Sequence, residues 1–359
     1  MNPEFYHSLM SGEWRGLIPS CLRGLLTVGE IGYRGAVRLR NTSFDRGWRT
    51  IHRADVPVVS VGNVTAGGTG KTPCVAFLTE WFLKHHLRVA ILSRGYRSLK
   101  TQDRVPAQND EKLLLDRLCP GVPHLQLADR VCIAREAVRD HASQVLILDD
   151  GFQHRRLARQ LDIVLIDCLN PWGYGRLLPR GLLREPLSSL RRAHLIFLTR
   201  ADYCSVEQRQ QIDQVLQATR GSSASVDIAF QPTMLIGRDL ETGPLELFLG
   251  QEIMAVSGIG NPRGFEQSLE RLGYQVAGQQ RFPDHHHYSL ADCEQISREA
   301  TAKRTQAIVM TEKDIVKIPR SFSFPLPVWS VRLGTRILAG DDLLESHLQN
   351  VSMRISGAG

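Results

Sequence analysis

The sequence predicts an α/β protein: a mostly parallel sheet with helices on both faces, followed by a smaller C-terminal α/β domain. Three observations carry that prediction. Short apolar, β-rich runs recur at residues 56–61, 88–93, 144–148, 161–166 and 194–198, as strands buried on both faces should. Helical segments separate them, residues 71–86 most clearly, and strands that alternate with helices pair in parallel. After a polar stretch, Arg220-Gly-Ser-Ser-Ala-Ser, a second series begins with a strand at 253–257, a helix at 265–272 and a strand at 274–282. A chain of 359 residues has room for both cores. We therefore expect an N-terminal segment at 1–50, a core domain at 51–222 and a smaller domain at 223–359.

Composition is that of a globular protein, with 42% hydrophobic and 23% charged residues and a formal net charge of +7. A modest positive excess suits an anionic partner: nucleic acid, a membrane surface or a phosphorylated substrate. Seven cysteines lie scattered without a C-x-x-C pair, a pattern that fits a reducing cytoplasm rather than a zinc knuckle or disulfide framework. No secretory signal opens the sequence, and no apolar run approaches the ~18 residues of a spanning helix. The protein is expected to be soluble or peripheral.

The first element, residues 14–40, has a two-sided helical pattern. Ser20, Arg23, Thr27, Glu30, Arg34 and Arg38 fall on one side, and Ile18, Cys21, Leu22, Leu25, Val28 and Ala36 cover much of the other. Pro19 suits the helix start, whereas Gly24, Gly29, Gly32 and Gly35 each cost roughly 1 kcal/mol relative to alanine. Such a helix either packs on the main domain or lies at a membrane interface with its arginines at the headgroups.

The next strand runs into Val61-Gly-Asn-Val-Thr-Ala-Gly-Gly-Thr-Gly-Lys-Thr-Pro73 and then a helix. Strand, glycine loop and helix in that order make a phosphate-binding loop, and so a P-loop NTPase-type sheet. Thr65 stands where the usual pattern has its first glycine. Along Thr65, Ala66, Gly67, Gly68, Thr69 and Gly70, backbone N–H groups can turn toward phosphate oxygens, helped by the positive end of the helix. Lys71 would reach the β- and γ-phosphates, and the Thr72 hydroxyl a Mg²⁺ ion. Pro73 is tolerated because first-turn amides have no helical partner. The metal also needs a carboxylate at the end of a neighbouring strand, and the run 145–150 ends in Asp149 and Asp150.

Further on, Pro283-Asp284-His285-His286-His287-Tyr288 concentrates three histidines. Adjacent side chains on a regular element point apart, so one zinc ion would not be served by all three; one histidine paired with a carboxylate is the better reading. The loop Gly258-Ile-Gly260-Asn-Pro-Arg-Gly264 is one residue too long for a dinucleotide fingerprint. Thr199-Arg-Ala-Asp202 and Thr311-Glu-Lys-Asp314 only faintly echo a guanine-reading motif.

Taken together, several segments resemble the tetraacyldisaccharide 4'-kinase family: the loop from Thr65 to Pro73, Leu92-Ser-Arg-Gly-Tyr96, Leu148-Asp-Asp-Gly-Phe-Gln-His-Arg-Arg156, Gly175-Arg-Leu-Leu-Pro179, Leu183-Arg-Glu-Pro186, Phe282-Pro-Asp-His-His286 and Thr311-Glu-Lys-Asp314. They run in the family's order from about residue 15 to 345, and Thr65 agrees with the family's loop. The resemblance implies ATP- and Mg²⁺-dependent phosphorylation of the 4'-hydroxyl of a tetraacylated glucosamine disaccharide 1-phosphate, giving the 1,4'-bisphosphate of lipid A synthesis. It also implies a smaller domain closing over the site and peripheral contact of the N-terminal segment with the cytoplasmic face of the inner membrane. No nucleic-acid or protein partner is implied. The family's G-D-E-P motif reads Asn109-Asp110-Glu111-Lys112 here. By that match Asp110 would be the base, helped by His285, with Glu111 the neighbouring carboxylate that could share the role. Asp149 and Asp150 would serve the metal. Tyr96, Glu111, His154, Arg184 and Glu185 would contact substrate, the last two alternatively ordering the site. A sugar hydroxyl barely ionises at neutral pH, so a carboxylate placed to take its proton is worth on the order of 10²–10⁴ in rate. The rival readings are a P-loop kinase for another small-molecule hydroxyl, and a non-enzymatic P-loop switch or metallochaperone.

Overall fold

The computed structural model describes residues 3–95 and 110–356. In chain order the elements are α1 (Pro3–Ser11), α2 (Leu17–Asp45), β1 (Val58–Asn63), α3 (Lys71–Lys84), β2 (Val89–Ser93), α4 (Asp110–Leu118), β3 (His124–Gln126), α5 (Arg130–His141), β4 (Val145–Asp149), β5 (Leu161–Asp167), β6 (Leu195–Thr199) and α6 (Val206–Arg220). They continue with β7 (Val226–Gly237), β8 (Thr242–Gly243), β9 (Glu252–Ser257), α7 (Pro262–Arg271), β10 (Gln275–Arg281), α8 (Leu290–Ala302), β11 (Ala307–Thr311), α9 (Glu312–Ile315), β12 (Val328–Ala339) and α10 (Asp341–Ser356).

These elements form two units. Among the described residues, the larger takes those of 1–97, 119–230 and 335–359, and the smaller those of 98–118 and 231–334. The division is not sequential as expected. Residues 335–359 join the larger unit, where Trp81 of α3 donates to Glu345 of α10 at 3.0 Å. Residues 110–118 join the smaller unit, where Arg117 of α4 donates to the carbonyls of Gly237 and Arg238. Order along the chain carries no information about such long-range partners.

In the larger unit the strands lie in the order β7-β6-β5-β1-β4-β2-β3, and each neighbouring pair is parallel. Every residue of β1, β2, β4 and β6 is buried, so both faces of the sheet are covered, as the apolar runs predict. Val131, Ala134 and Ala137 of α5 pack with Ala90, Leu92, Leu146 and Leu148. Ile212 and Leu216 of α6 pack with Val164, Ile166, Ile196 and Leu198. The alternation by two within each strand is the pleat at work. Because β1 lies between β4 and β5, strand order reverses beside it, and the carboxyl ends of such strands are where an α/β sheet binds ligands.

In the smaller unit β9 lies between β10 and β11, and β12 follows β11, all in parallel pairs. The loop before α7 is a helix cap, with Asn261 accepting the Gly264 N–H at 3.0 Å and Pro262 in the first turn.

Helix α2 has the two predicted sides, but the apolar one is not the side that packs inward. Of the polar side, Glu30 is buried and accepts the Leu177 N–H at 3.2 Å, Arg23 and Thr27 are half-buried, and Ser20, Arg34 and Arg38 stay exposed; nearby, the Tyr33 hydroxyl donates to the Arg184 carbonyl at 2.9 Å. The apolar side faces outward, with Ile18, Leu25 and Val28 exposed by 70%, 71% and 69% and Leu17, Ile31 and Leu39 exposed beside them. Among the described residues no helix is long and apolar enough to cross a membrane.

Gly62 of β1 tests the packing under the strand ends, because a Cβ there would meet the Phe152 backbone nitrogen at 2.6 Å. Gly62→Ala is expected to lower stability by about 1–3 kcal/mol through overpacking, read as a lower midpoint in urea with an unchanged slope.

Candidate functional site

The larger unit carries the phosphate loop between β1 and α3. Gly70 has φ +83°, and a Cβ on it would collide with the Phe230 ring, so only glycine fits the turn into α3. Gly67 and Gly68 are exposed with open space above them, which leaves room for a ligand against the backbone. Thr65 has a different task. It is buried, and its neighbours bond to the 182–184 segment: the Ala66 N–H reaches the Leu182 carbonyl and the Arg184 N–H the Val64 carbonyl, both at 2.7 Å. Thr69 is also buried, its hydroxyl accepting from Asn63 Nδ2 at 3.1 Å. A glycine at 65 would leave these backbone bonds possible but give up the buried side chain, whose Cγ2 lies close beside Gly173.

At the end of β4, Asp150 receives both neighbouring cations. Arg184 Nη1 lies 2.9 Å from each of its oxygens, and Lys71 Nζ lies 3.6 Å from Oδ1. Burial alone would raise the Asp150 carboxyl, but Lys71 and then Arg184 outweigh it and hold it below the usual carboxylate range. Asp149 is buried beside it, and its carbonyl accepts from the enclosed Arg130 at 3.4 Å. Glu185 is wholly buried, with Arg192 at 2.7 Å, Arg40 at 3.4 Å and Asn41 Nδ2 at 3.1 Å. Arg184 and Glu185 are thus both tied into the fold by ion pairs, Arg184 to Asp150 and Glu185 to Arg192 and Arg40. His154 is tucked beside Arg130, Arg159 and Arg156 with a buried Nε2 that makes no hydrogen bond among the described residues. Burial first, then those arginines, pushes its pKa down to about 3.

The smaller unit carries the other expected pair. Asp110 opens α4, its side chain only 7% exposed, and its Oδ2 lies 3.3 Å from Nδ1 of the more open His285. On the far side of the ring, Lys313 Nζ lies 3.3 Å from Nε2 and 3.2 Å from Asp284. An ammonium can only donate, so Nε2 accepts and Nδ1 carries the hydrogen toward Asp110. The neighbouring histidine diverges as the geometry of adjacent residues requires: His286 bonds Asp292 at 3.1 Å and stacks on Phe282.

Thus Lys71, Asp149, Asp150, Arg184 and the loop cluster in one unit, and Asp110 with His285 in the other. Glu111 follows Asp110 on α4, exposed. Tyr96 and Asn109 lie outside the described residues. Sequence reasoning missed Arg130, and also Arg200, which pairs with Asp167 and donates to the Gly68 carbonyl of the loop at 3.0 Å. It missed Lys313 as well, although the Thr311–Asp314 stretch had stood out.

A family model described as tetraacyldisaccharide-1-P 4'-kinase matches residues 22–352. The tetraacyldisaccharide 4'-kinase of Anaeromyxobacter dehalogenans (strain 2CP-C) is 40% identical over 337 residues, covering 90% of this chain and 89% of that protein. That of Geobacter sulfurreducens is 36% identical over 346 residues, covering 93% and 95%. A crystal structure of LpxK from Aquifex aeolicus in complex with ATP superposes with a TM-score of 0.75 at 29% identity, covering 92% of this chain and 99% of that one.

The enclosure of His154 sets a pH dependence. Its folded pKa lies below the ordinary histidine value, so the stability it contributes is complete above about pH 6.5 and is lost as pH falls from there toward 3. In an NMR titration the His154 ring is expected to stay neutral down to about pH 4; a midpoint near 6.5 would contradict the enclosure.

Proposed function

The chain belongs to the tetraacyldisaccharide-1-P 4'-kinase family, and from that premise we propose how its residues divide the work. The protein is an ATP- and Mg²⁺-dependent kinase of lipid A biosynthesis that phosphorylates the 4'-hydroxyl of a tetraacyldisaccharide 1-phosphate. The observation that carries the division of roles is the 3.3 Å contact between Asp110 and the ring nitrogen of His285.

The phosphate loop of the larger unit fits ATP: it leaves space above Gly67 and Gly68, and Lys71 projects from the first turn of α3. Thr72, Asp149 and Asp150 offer only hard oxygen donors, the kind Mg²⁺ takes, and would hold the ion, which would supply positive charge against the charge that develops on the phosphoryl group. Asp150 keeps Lys71 and Arg184 in place from below. Asp110 takes the proton of the 4'-hydroxyl as that oxygen attacks phosphorus, and His285 holds the carboxylate in line through Nδ1–H. The metallochaperone reading finds no support, because His285 and His286 turn to different carboxylates and no three His, Cys, Asp or Glu side chains form a metal site among the described residues.

Helix α2 supports contact with a lipid surface. Its outward apolar stripe is suited to the boundary between headgroups and acyl chains, and the substrate, a four-chain lipid, resides in such a surface. On this reading the protein works peripherally at the cytoplasmic face of the inner membrane.

Two experiments test these roles. With labelled ATP and the disaccharide 1-phosphate in detergent, Asp110→Ala is expected to lower kcat by about 10²–10⁴ while ATP affinity is kept; a wild-type rate would remove Asp110 from the role. In sedimentation with phosphatidylethanolamine–phosphatidylglycerol vesicles, joint Leu25→Glu and Val28→Glu changes are expected to weaken binding about tenfold or more with little change in melting temperature. Unchanged vesicle binding would exclude this face.

A further inference from the structure

Lys317, just beyond α9 in the smaller unit, has a side chain only 2% exposed. Lysines are seldom buried unless paired, and this one meets two carboxylates. Its Nζ lies 2.8 Å from Asp314 Oδ1, as an ion pair set off the hydrogen-bonding direction, and 3.8 Å from Asp110 Oδ2. Asp314 is itself fully buried and fixed. Its Oδ2 accepts the Gly258 N–H at 2.9 Å and the Thr311 hydroxyl at 2.5 Å. The ammonium also lies 5.6 Å from the centre of the Tyr288 ring. Lys317 is therefore anchored on one side by a carboxylate that cannot move, and on the other it presents its charge to Asp110.

Asp110 Oδ2 is also the oxygen that faces His285, at 3.3 Å. Two groups thus address the same edge of the carboxylate, one open to solvent and one enclosed. We propose that Lys317 is a positioning residue for phosphoryl transfer: it grips Asp110 through Oδ2 and so turns Oδ1 to the acceptor hydroxyl. Its enclosure keeps it from substrate, so it acts only through Asp110. The proposal rests on Asp110 being the base. A bare structural ion pair would need Asp314 alone; the second carboxylate gives the buried charge a functional reason, since desolvating a lysine is costly.

The test is a double-mutant cycle with Lys317→Met and Asp110→Asn, reading kcat, both KM values and the melting temperature of the full-length protein. Lys317→Met is expected to lower kcat about 10–100-fold, the cost of a misplaced reacting group, with both KM values within about twofold. In the Asp110→Asn background the same change is expected to have no further effect on kcat. Lys317→Arg, which keeps the charge, is expected to recover part of the loss. If Lys317→Met does not fold, joint Asp314→Asn and Lys317→Met removes the buried pair together and is read in the same cycle. Unchanged kcat in a folded Lys317 variant, or a loss that multiplies with Asp110→Asn, overturns the proposal and leaves Asp110 as the base. Wild-type turnover in Asp110→Asn alone overturns the reading of the base, and this proposal with it.

Discussion

The larger unit's site depends on one electrostatic junction, the Asp150 carboxylate with Lys71 and Arg184 against it. Three segments distant in sequence meet there: the start of α3, the turn after β4 and the strap that carries Arg184. Each is also held by backbone. The Arg184 N–H bonds the Val64 carbonyl, and the Gly151 N–H bonds the Val61 carbonyl. The charges therefore need not drag flexible side chains into place; the backbone has already brought them near. Behind Arg184, the buried Glu185 ties the same strap to α2 through Arg40 and Asn41. The phosphate loop, the turn after β4 and the N-terminal helix thus share one support.

The smaller unit solves a related problem with the opposite charge pattern. There a carboxylate is held by an imidazole whose tautomer is set by Lys313, while Asp284 in turn holds that lysine. The helix cap at Asn261 and the capping of α9 by Thr311 keep the surrounding loops in register. Lys71 and Asp110 open helices α3 and α4, and Asp150 follows the end of β4, where backbone direction is fixed.

What the sequence revealed follows from how local each feature is. The phosphate loop is contiguous, and its demand for φ > 0 at Gly70 is written in adjacent residues, so strand, loop and helix were all legible. Asp149 and Asp150 were legible because they end an apolar strand. The histidine cluster stood out locally, but Asp110, and the choice of His285 as its partner, were reached through family resemblance. Arg130, Arg200 and Lys313 were missed because each acts across the fold on a partner remote in the chain. Periodicity showed that α2 has two sides but not which one faces in; that depended on Glu30 and Tyr33 finding Leu177 and Arg184. Residues 341–356 were expected in the smaller domain and belong to the larger unit as α10, since their place depends on the remote Trp81.

The return of the chain to the larger unit after residue 334 has a consequence for how the protein is made. On the ribosome, α3 is synthesised before most of the smaller unit, and α10, with Leu344, Leu348 and Val351 buried in the finished fold, only after it. Until α10 has been made, the nascent larger unit lacks that helix, whereas the smaller unit has already been synthesised. Completion of the larger unit thus waits on α10, and the unit that carries Asp110 is free to fold first.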